Sequence, residues 1–397
     1  MARIERIETV RLPERPNLCY VRVLSDDGAI GLGETYFGAA AVEAHVHDAL
    51  AHVLLGADPD PVRRHHRAMT GYVARSGTGA EARAIAAADI ALWDLLGRRQ
   101  GRSIAQLLGG PVRERIPVYN TCAGPEYLRR TGDQHTSNWD LAAGRYEDLE
   151  ASLTDMGGLA AELLASGIRG MKVWPFDPIA ERTNGYAISD SELAGVIELL
   201  GGVRSATGDA MSLMVELHGL WAPPMARRIA DALEPLRPTW IEDPVRAEDA
   251  SAMAAVTGRS PVPVAAGETL GSAREHRDLV ERGGVDVLIA DVGWARGITE
   301  VLGTAAMTRD AGIALAFHDC TGPVSLAVAI QLATVFDHVP VQEIVRAGLL
   351  GWYRELTDDV PELVDGTVGA LGGSGHGVSL SERILDRADV GIRVSRL

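Results

Sequence analysis

The feature that most constrains this chain is an alternation, from residue 116 to residue 344, of short apolar runs with longer helical stretches. The runs are Ile116–Asn120, Ile168–Trp174, Ser212–Leu217, Thr239–Glu242, Val262–Ala266, Val285–Asp291, Ile313–His318 and Val339–Ile344. Strands joined through helices run parallel, because a crossover of that length returns the chain to the end it left. Eight such units predict a closed α/β barrel. The chain before them reads differently. Ile4–Leu12 alternates, and Leu18–Leu24 and Ala29–Glu34 flank the hairpin signal Ser25-Asp26-Asp27-Gly28. A helical pattern from Ala80 to Leu96 follows, expected to end near Gly97. The sequence therefore divides into an α+β domain over 1–115, a barrel over 116–347, and a glycine-rich segment, 348–397, expected to return to the first domain. The polar stretch from Arg129 to Glu147 is expected as an excursion near the barrel mouth. Gly372-Gly373-Ser374-Gly375-His376-Gly377 lacks the lysine and preceding strand of a phosphate loop and reads as a turn.

Chemistry-bearing residues recur where the strands end. Glu216, Glu242 and Glu268 close the third, fourth and fifth strands at equal separations of 26 residues. Since one barrel unit takes about 30 residues, equal spacing puts all three carboxylates at one level, the C-terminal mouth where barrel active sites lie. Three carboxylates in one small volume repel one another unless a divalent cation neutralises them. Oxygen ligands alone favour Mg²⁺ or Mn²⁺ over zinc. Asp291 and His318 close the sixth and seventh strands. A carboxylate accepting from one imidazole nitrogen fixes the tautomer and makes the other nitrogen a general base. Lys172 ends the second strand, where a buried ammonium needs anions around it. Glu343 ends the eighth and could donate when protonated or accept substrate hydroxyls. Asn120, Trp174 and Asp319, at or beside strand ends, are expected to contact substrate. His45, His47, His52, His65 and His66, on helical or polar stretches of the small domain, are read as surface residues.

The Ala86-Ala87-Ala88-Asp89-Ile90-Ala91-Leu92-Trp93-Asp94-Leu95 helix, the Leu107-Leu108-Gly109-Gly110 stop and the ordered Lys, Glu, Glu, Glu, Asp, His, Glu series resemble the mandelate racemase branch of the enolase superfamily over nearly the whole chain. The resemblance implies a (β/α)₇β barrel under a capping domain built from both chain ends. It implies Mg²⁺ on Glu216, Glu242 and Glu268, an enediolate formed from a carboxylate substrate, and a homo-oligomer. The capping loop around Pro13 to Cys19 is implied to shape the pocket.

Two departures bear on the reaction. Racemases of this branch carry Lys-x-Lys on the second strand, whereas this chain has Lys172-Val173-Trp174, and Trp174 cannot carry a proton. Chemistry from one face, by Asp291 and His318, suits a dehydratase: the α-proton is removed, a β-hydroxyl leaves, and the enol becomes a 2-keto-3-deoxy acid. Glu216-Leu217-His218 replaces the aspartate many members use as first ligand. His218, two residues on and so on the same face, resembles the histidine some sugar-acid dehydratases use as general acid. An aldonate or aldarate dehydratase is the expectation, with an epimerase, racemase or cycloisomerase as the alternative and a non-catalytic binder as a remote one.

Charge and cysteines narrow the setting. A net charge of −16 argues against nucleic acid or an anionic membrane as partner and leaves capture of an anionic substrate to local positive charge. No apolar run approaches the ~20 residues a spanning helix needs, and Met1 to Arg6 lacks the apolar core of a signal peptide. The three distant cysteines, Cys19, Cys122 and Cys320, suggest no disulfide framework, so a reduced cytoplasmic protein is expected.

Overall fold

The computed structural model describes residues 2–71, 78–129, 135–141 and 144–397, and every run expected as a strand overlaps one. An antiparallel sheet holds β1 (Ile4–Leu12), β2 (Arg15–Ser25) and β3 (Ile30–Tyr36). The barrel holds β4 (Arg115–Thr121), β5 (Gly170–Val173), β6 (Ser212–Glu216), β7 (Trp240–Glu242), β8 (Val264–Ala266), β9 (Val287–Ala290), β10 (Ala314–Phe317) and β11 (Gln342–Ile344). Strands β4 to β10 lie side by side and parallel, and β11 pairs with the free side of β4. At the seam between β10 and β11, the Gln342 amide donates to the Phe317 carbonyl at 3.2 Å. A hairpin of β12 (Leu363–Val364) and β13 (Thr367–Gly369) extends β4, and β14 (Gly391–Arg396) pairs antiparallel with β1. The last strand thus completes the sheet begun by the first. Among the described residues no helix is long and apolar enough to cross a membrane.

Two expectations about the small domain are corrected. The Ala80–Gln100 helix continues past Gly97 and stops at Gly101, which takes the left-handed conformation (φ 63°) of a helix end. Gly97 serves contact instead: a Cβ there would lie 2.7 Å from the Gly375 Cα, in the glycine-rich turn packed against this helix. The histidines are the second correction. His47, His65 and His66 are buried, because each finds polar partners inside. His47 bonds Thr9 and Ser395, and His65 bonds the Asp58 carbonyl.

His66 lies between Asp89 on the Ala80–Gln100 helix and Glu300 on the Ile298–Ala311 barrel helix, at 3.3 and 3.2 Å. Burial opposes its charge, but the two carboxylates outweigh burial and lift its pKa to about 9. A group raised from 6.5 contributes its full stability below pH 6.5 and loses it as pH rises through 9. The contribution is at most about 3 kcal/mol. The melting temperature is expected to fall across that window in the wild type and much less in His66→Gln; parallel curves would contradict the bridge.

Candidate active site

One layer of side chains fills the barrel below the mouth: Tyr119, Met214, Trp240, Ala265, Ile289 and Ala316. Successive residues on a strand point to opposite faces, so the next inward position is two residues on. That rule carries Tyr119 to Thr121, Met214 to Glu216, Trp240 to Glu242, Ile289 to Asp291 and Ala316 to His318. On β8 it takes Ala265 to Gly267, where the backbone turns (φ +127°) and Glu268 becomes the inward residue. Gly267 is required there also by space, since a Cβ would approach the Ile289 carbonyl to 2.7 Å.

Carboxylate oxygens of Glu216, Glu242 and Glu268 lie within 4.8 Å of one another, and all three residues are buried. Glu216 accepts from the backbone N–H groups of Leu217 and His218 at 3.0 and 2.7 Å, and Trp240 donates to Glu242 at 2.8 Å. One oxygen of Glu216 and one of Glu268 are buried with no hydrogen-bond partner. Buried carboxylate oxygens left without donors, in an all-oxygen cluster, fit a hard divalent cation such as Mg²⁺. Burial pushes Glu242 up to about 7 and raises Glu268 as well.

Lys172 reaches Glu242 at 2.7 Å, Glu343 at 2.9 Å and Glu216 at 3.5 Å. Burial disfavours its charge, but Glu242 and Glu343 more than offset that and hold its pKa well above the usual value. Glu343 is raised by burial and lowered more strongly by Lys172 and His318, so it stays ionised. It accepts from Thr121, from Lys172 and from the Asp319 N–H (2.8 Å).

Two imidazoles face this cluster. His318 Nδ1 bonds Asp291 at 2.6 Å, and its Nε2 lies 3.6 Å from Glu268. The other Asp291 oxygen accepts from the N–H groups of Gly293 and Trp294 at 2.6 and 3.0 Å, which fixes the carboxylate. His218 Nδ1 bonds Asp177 at 2.7 Å, so its Nε2 is the free nitrogen. His218 also holds a left-handed backbone (φ 49°), a conformation histidine adopts more readily than most side chains, and its ring lies edge-on to that of Trp174. Strand β10 stands four positions from β6 in an eight-stranded barrel, with three strands between them on either side, so the imidazoles stand on opposite sides of the mouth. Both line one narrow cavity with Lys172, Trp174, Glu216 and Glu268. A larger surface cleft of about 720 Å³ adjoins it at His218 but holds none of the three glutamates.

Trp174 faces the cavity as expected, but Asn120 and Asp319 do not. Their neighbours Tyr119 and His318 point inward, so alternation turns these two outward. Asn120 bonds Asp148 and the Arg346 N–H within a buried network in which Arg346 grips Asp148 through two 2.6 Å bonds. Asp319, pushed well above the carboxylate range by burial and then by Glu343, lies beside Tyr353. Sequence reasoning missed Asp177, and also Asp243, a buried carboxylate next to the glutamates that accepts from the Gly267 N–H. It missed the cavity's aromatic wall too, formed by Phe37, Tyr127 and Trp294.

Residues 155–384 match the family described as enolase C-terminal domain-like, and residues 9–109 match the N-terminal domain of the mandelate racemase/muconate lactonizing enzymes. The chain belongs to the mandelate racemase branch of the enolase superfamily. It is an enzyme, of the dehydratase kind within the lyases. It is 32% identical over 343 residues to a D-galactonate dehydratase of Ralstonia nicotianae, covering 86% of this chain and 81% of that one. An enolase of the mandelate racemase subgroup from Agrobacterium tumefaciens is 37% identical, with 99% of both chains covered and a TM-score of 0.88. An L-talarate dehydratase from Polaromonas, solved with Mg and L-glucarate, is 26% identical over the whole of both chains, with a TM-score of 0.78. This member shares their barrel and cap.

Proposed function

We propose that the chain dehydrates a sugar acid, an aldonate or an aldarate, to a 2-keto-3-deoxy acid. The observation that carries this is the pair of opposed imidazoles, each held through Nδ1 by its own aspartate across the glutamate cluster. One serves as base and the other as acid. His318 Nε2 takes the α-proton, its ring held through Nδ1 on Asp291. Burial disfavours its charge, but Glu268, Asp291 and Glu343 raise its pKa well above the usual value, and a Mg²⁺ on the glutamates would relieve part of that pull. Lys172, kept charged and in place by Glu343, orients the substrate carboxylate. Glu216, Glu242 and Glu268 would hold a Mg²⁺, which supplies neutralisation of the negative charge that develops on that carboxylate. His218 Nε2 gives its proton to the β-hydroxyl as the carbon–oxygen bond breaks, and water departs. The enol then takes a proton on carbon and becomes the 2-keto acid. The dehydratase relatives support this reading, and Trp174, standing where racemases of this branch carry a second lysine, cannot take a proton.

The same opposition of two imidazoles also suits an epimerase, in which His218 would return a proton to the opposite face of the α-carbon. A panel of C5 and C6 aldonates and aldarates separates the two. The dehydratase reading expects 2-keto acid release from at least one of them with Mg²⁺ present. Formation of the C2 epimer without keto acid would replace it.

A further inference from the structure

We infer that the cap strand β3 holds the His318–Asp291 pair in register, and that Glu34 and Thr35 are positioning residues for the base. The inference rests on His318 being the base. Neither residue touches the cavity; each grips the turn that follows one member of the pair.

Glu34 is wholly buried, and its two oxygens accept from the N–H groups of Ser325 and Val324 at 3.0 and 3.2 Å. Those groups belong to the first turn of the Pro323–Val335 helix, which starts five residues after His318. Thr35 donates through its hydroxyl to the Gly293 carbonyl at 2.8 Å. Gly293 is the residue whose N–H holds Asp291 at 2.6 Å. Adjacent residues of one cap strand therefore brace the turn after β10 and the turn after β9. The imidazole and the carboxylate that must keep a 2.6 Å bond stand on those two strands.

A stability role alone does not explain the placement. The helix N-terminus offsets part of the cost of burying this carboxylate, yet burial still pushes Glu34 up to about 7. Space is also reserved for it. A Cβ at Gly322 would lie 2.5 Å from the Glu34 carboxylate. Gly322 has an extended backbone (φ 168°) that any residue adopts, so its lack of a side chain serves Glu34 and no turn. The glutamate cluster sits on β6 to β8, away from both grips, so losing them should misplace the base while leaving metal and substrate binding intact.

The test compares Glu34→Ala, Glu34→Gln, Gly322→Ala and Thr35→Val with wild type in kcat, KM, Mg²⁺ affinity and melting temperature. Glu34→Ala and Gly322→Ala should each lower kcat 10- to 100-fold, with KM and Mg²⁺ affinity within about threefold of wild type. Glu34→Gln should recover part of the loss, because an amide oxygen still accepts one N–H. Thr35→Val should fall in kcat, and Thr35→Ser should restore it. Unchanged kcat in Glu34→Ala and Gly322→Ala would overturn the inference. So would a loss in which kcat, Mg²⁺ affinity and melting temperature fall together, the mark of a merely loosened cap. If His318→Asn keeps its activity, the base assignment fails instead, which sets that failure apart. Should Glu34→Ala not fold, Gly322→Ala and the Thr35 pair carry the same readouts.

Discussion

His318→Asn is expected to lose 2-keto acid formation by about 10⁴-fold, at the upper end of what a positioned base contributes. The size follows from the geometry. The His318 imidazole lines the cavity and is anchored through Nδ1 by a 2.6 Å bond to Asp291, whereas Lys172 is held by Glu242 and Glu343. An asparagine fills similar space and can still bond Asp291, so loss of the titratable nitrogen is what the variant measures. Keto acid release read at saturating substrate checks it; a rate within tenfold of wild type places the base elsewhere.

Stripping divalent cations should abolish turnover, and Mg²⁺ should restore it. The glutamate cluster carries two buried oxygens with no donor, and Lys172 alone cannot neutralise three glutamates and Glu343. A cation that binds only the folded state also stabilises it, by ~2.7 kcal/mol at a hundredfold excess over its Kd. Adding Mg²⁺ to the stripped protein should therefore raise the melting temperature, and Glu216→Gln should blunt the rise. Full activity after chelation, or no thermal response, would contradict the site.

Most of this site was legible because a barrel converts sequence position into place. Strand ends give height, and their order gives the angle around the mouth. The equal spacing of Glu216, Glu242 and Glu268 needed only that rule, and Asp291 and His318 followed from it. Alternation along a strand could also have turned Asn120 and Asp319 outward, since each follows directly on an inward residue. Other features left no periodic trace. Asp177 holds His218 from the start of the Asp177–Thr183 helix, 41 residues earlier, and Glu34 reaches Val324 and Ser325 across 290 and 291 residues. Pairings at such separations depend on how cap and barrel meet, which hydrophobic pattern does not encode. The buried His47, His65 and His66 escaped for the same reason: a histidine on a polar helix face reads as exposed until its partners are known.

The most direct test is α-proton exchange in D₂O with His218→Asn, followed by NMR of the recovered sugar acid. The account predicts deuterium at the α-carbon with configuration retained, because His318 and the metal site are intact. Keto acid formation should meanwhile fall 100-fold or more for want of the acid. Deuterium appearing with wild-type elimination would remove His218 from the mechanism. In the wild type, recovered substrate deuterated with inverted configuration would make His218 a second base and the enzyme an epimerase, which contradicts the account.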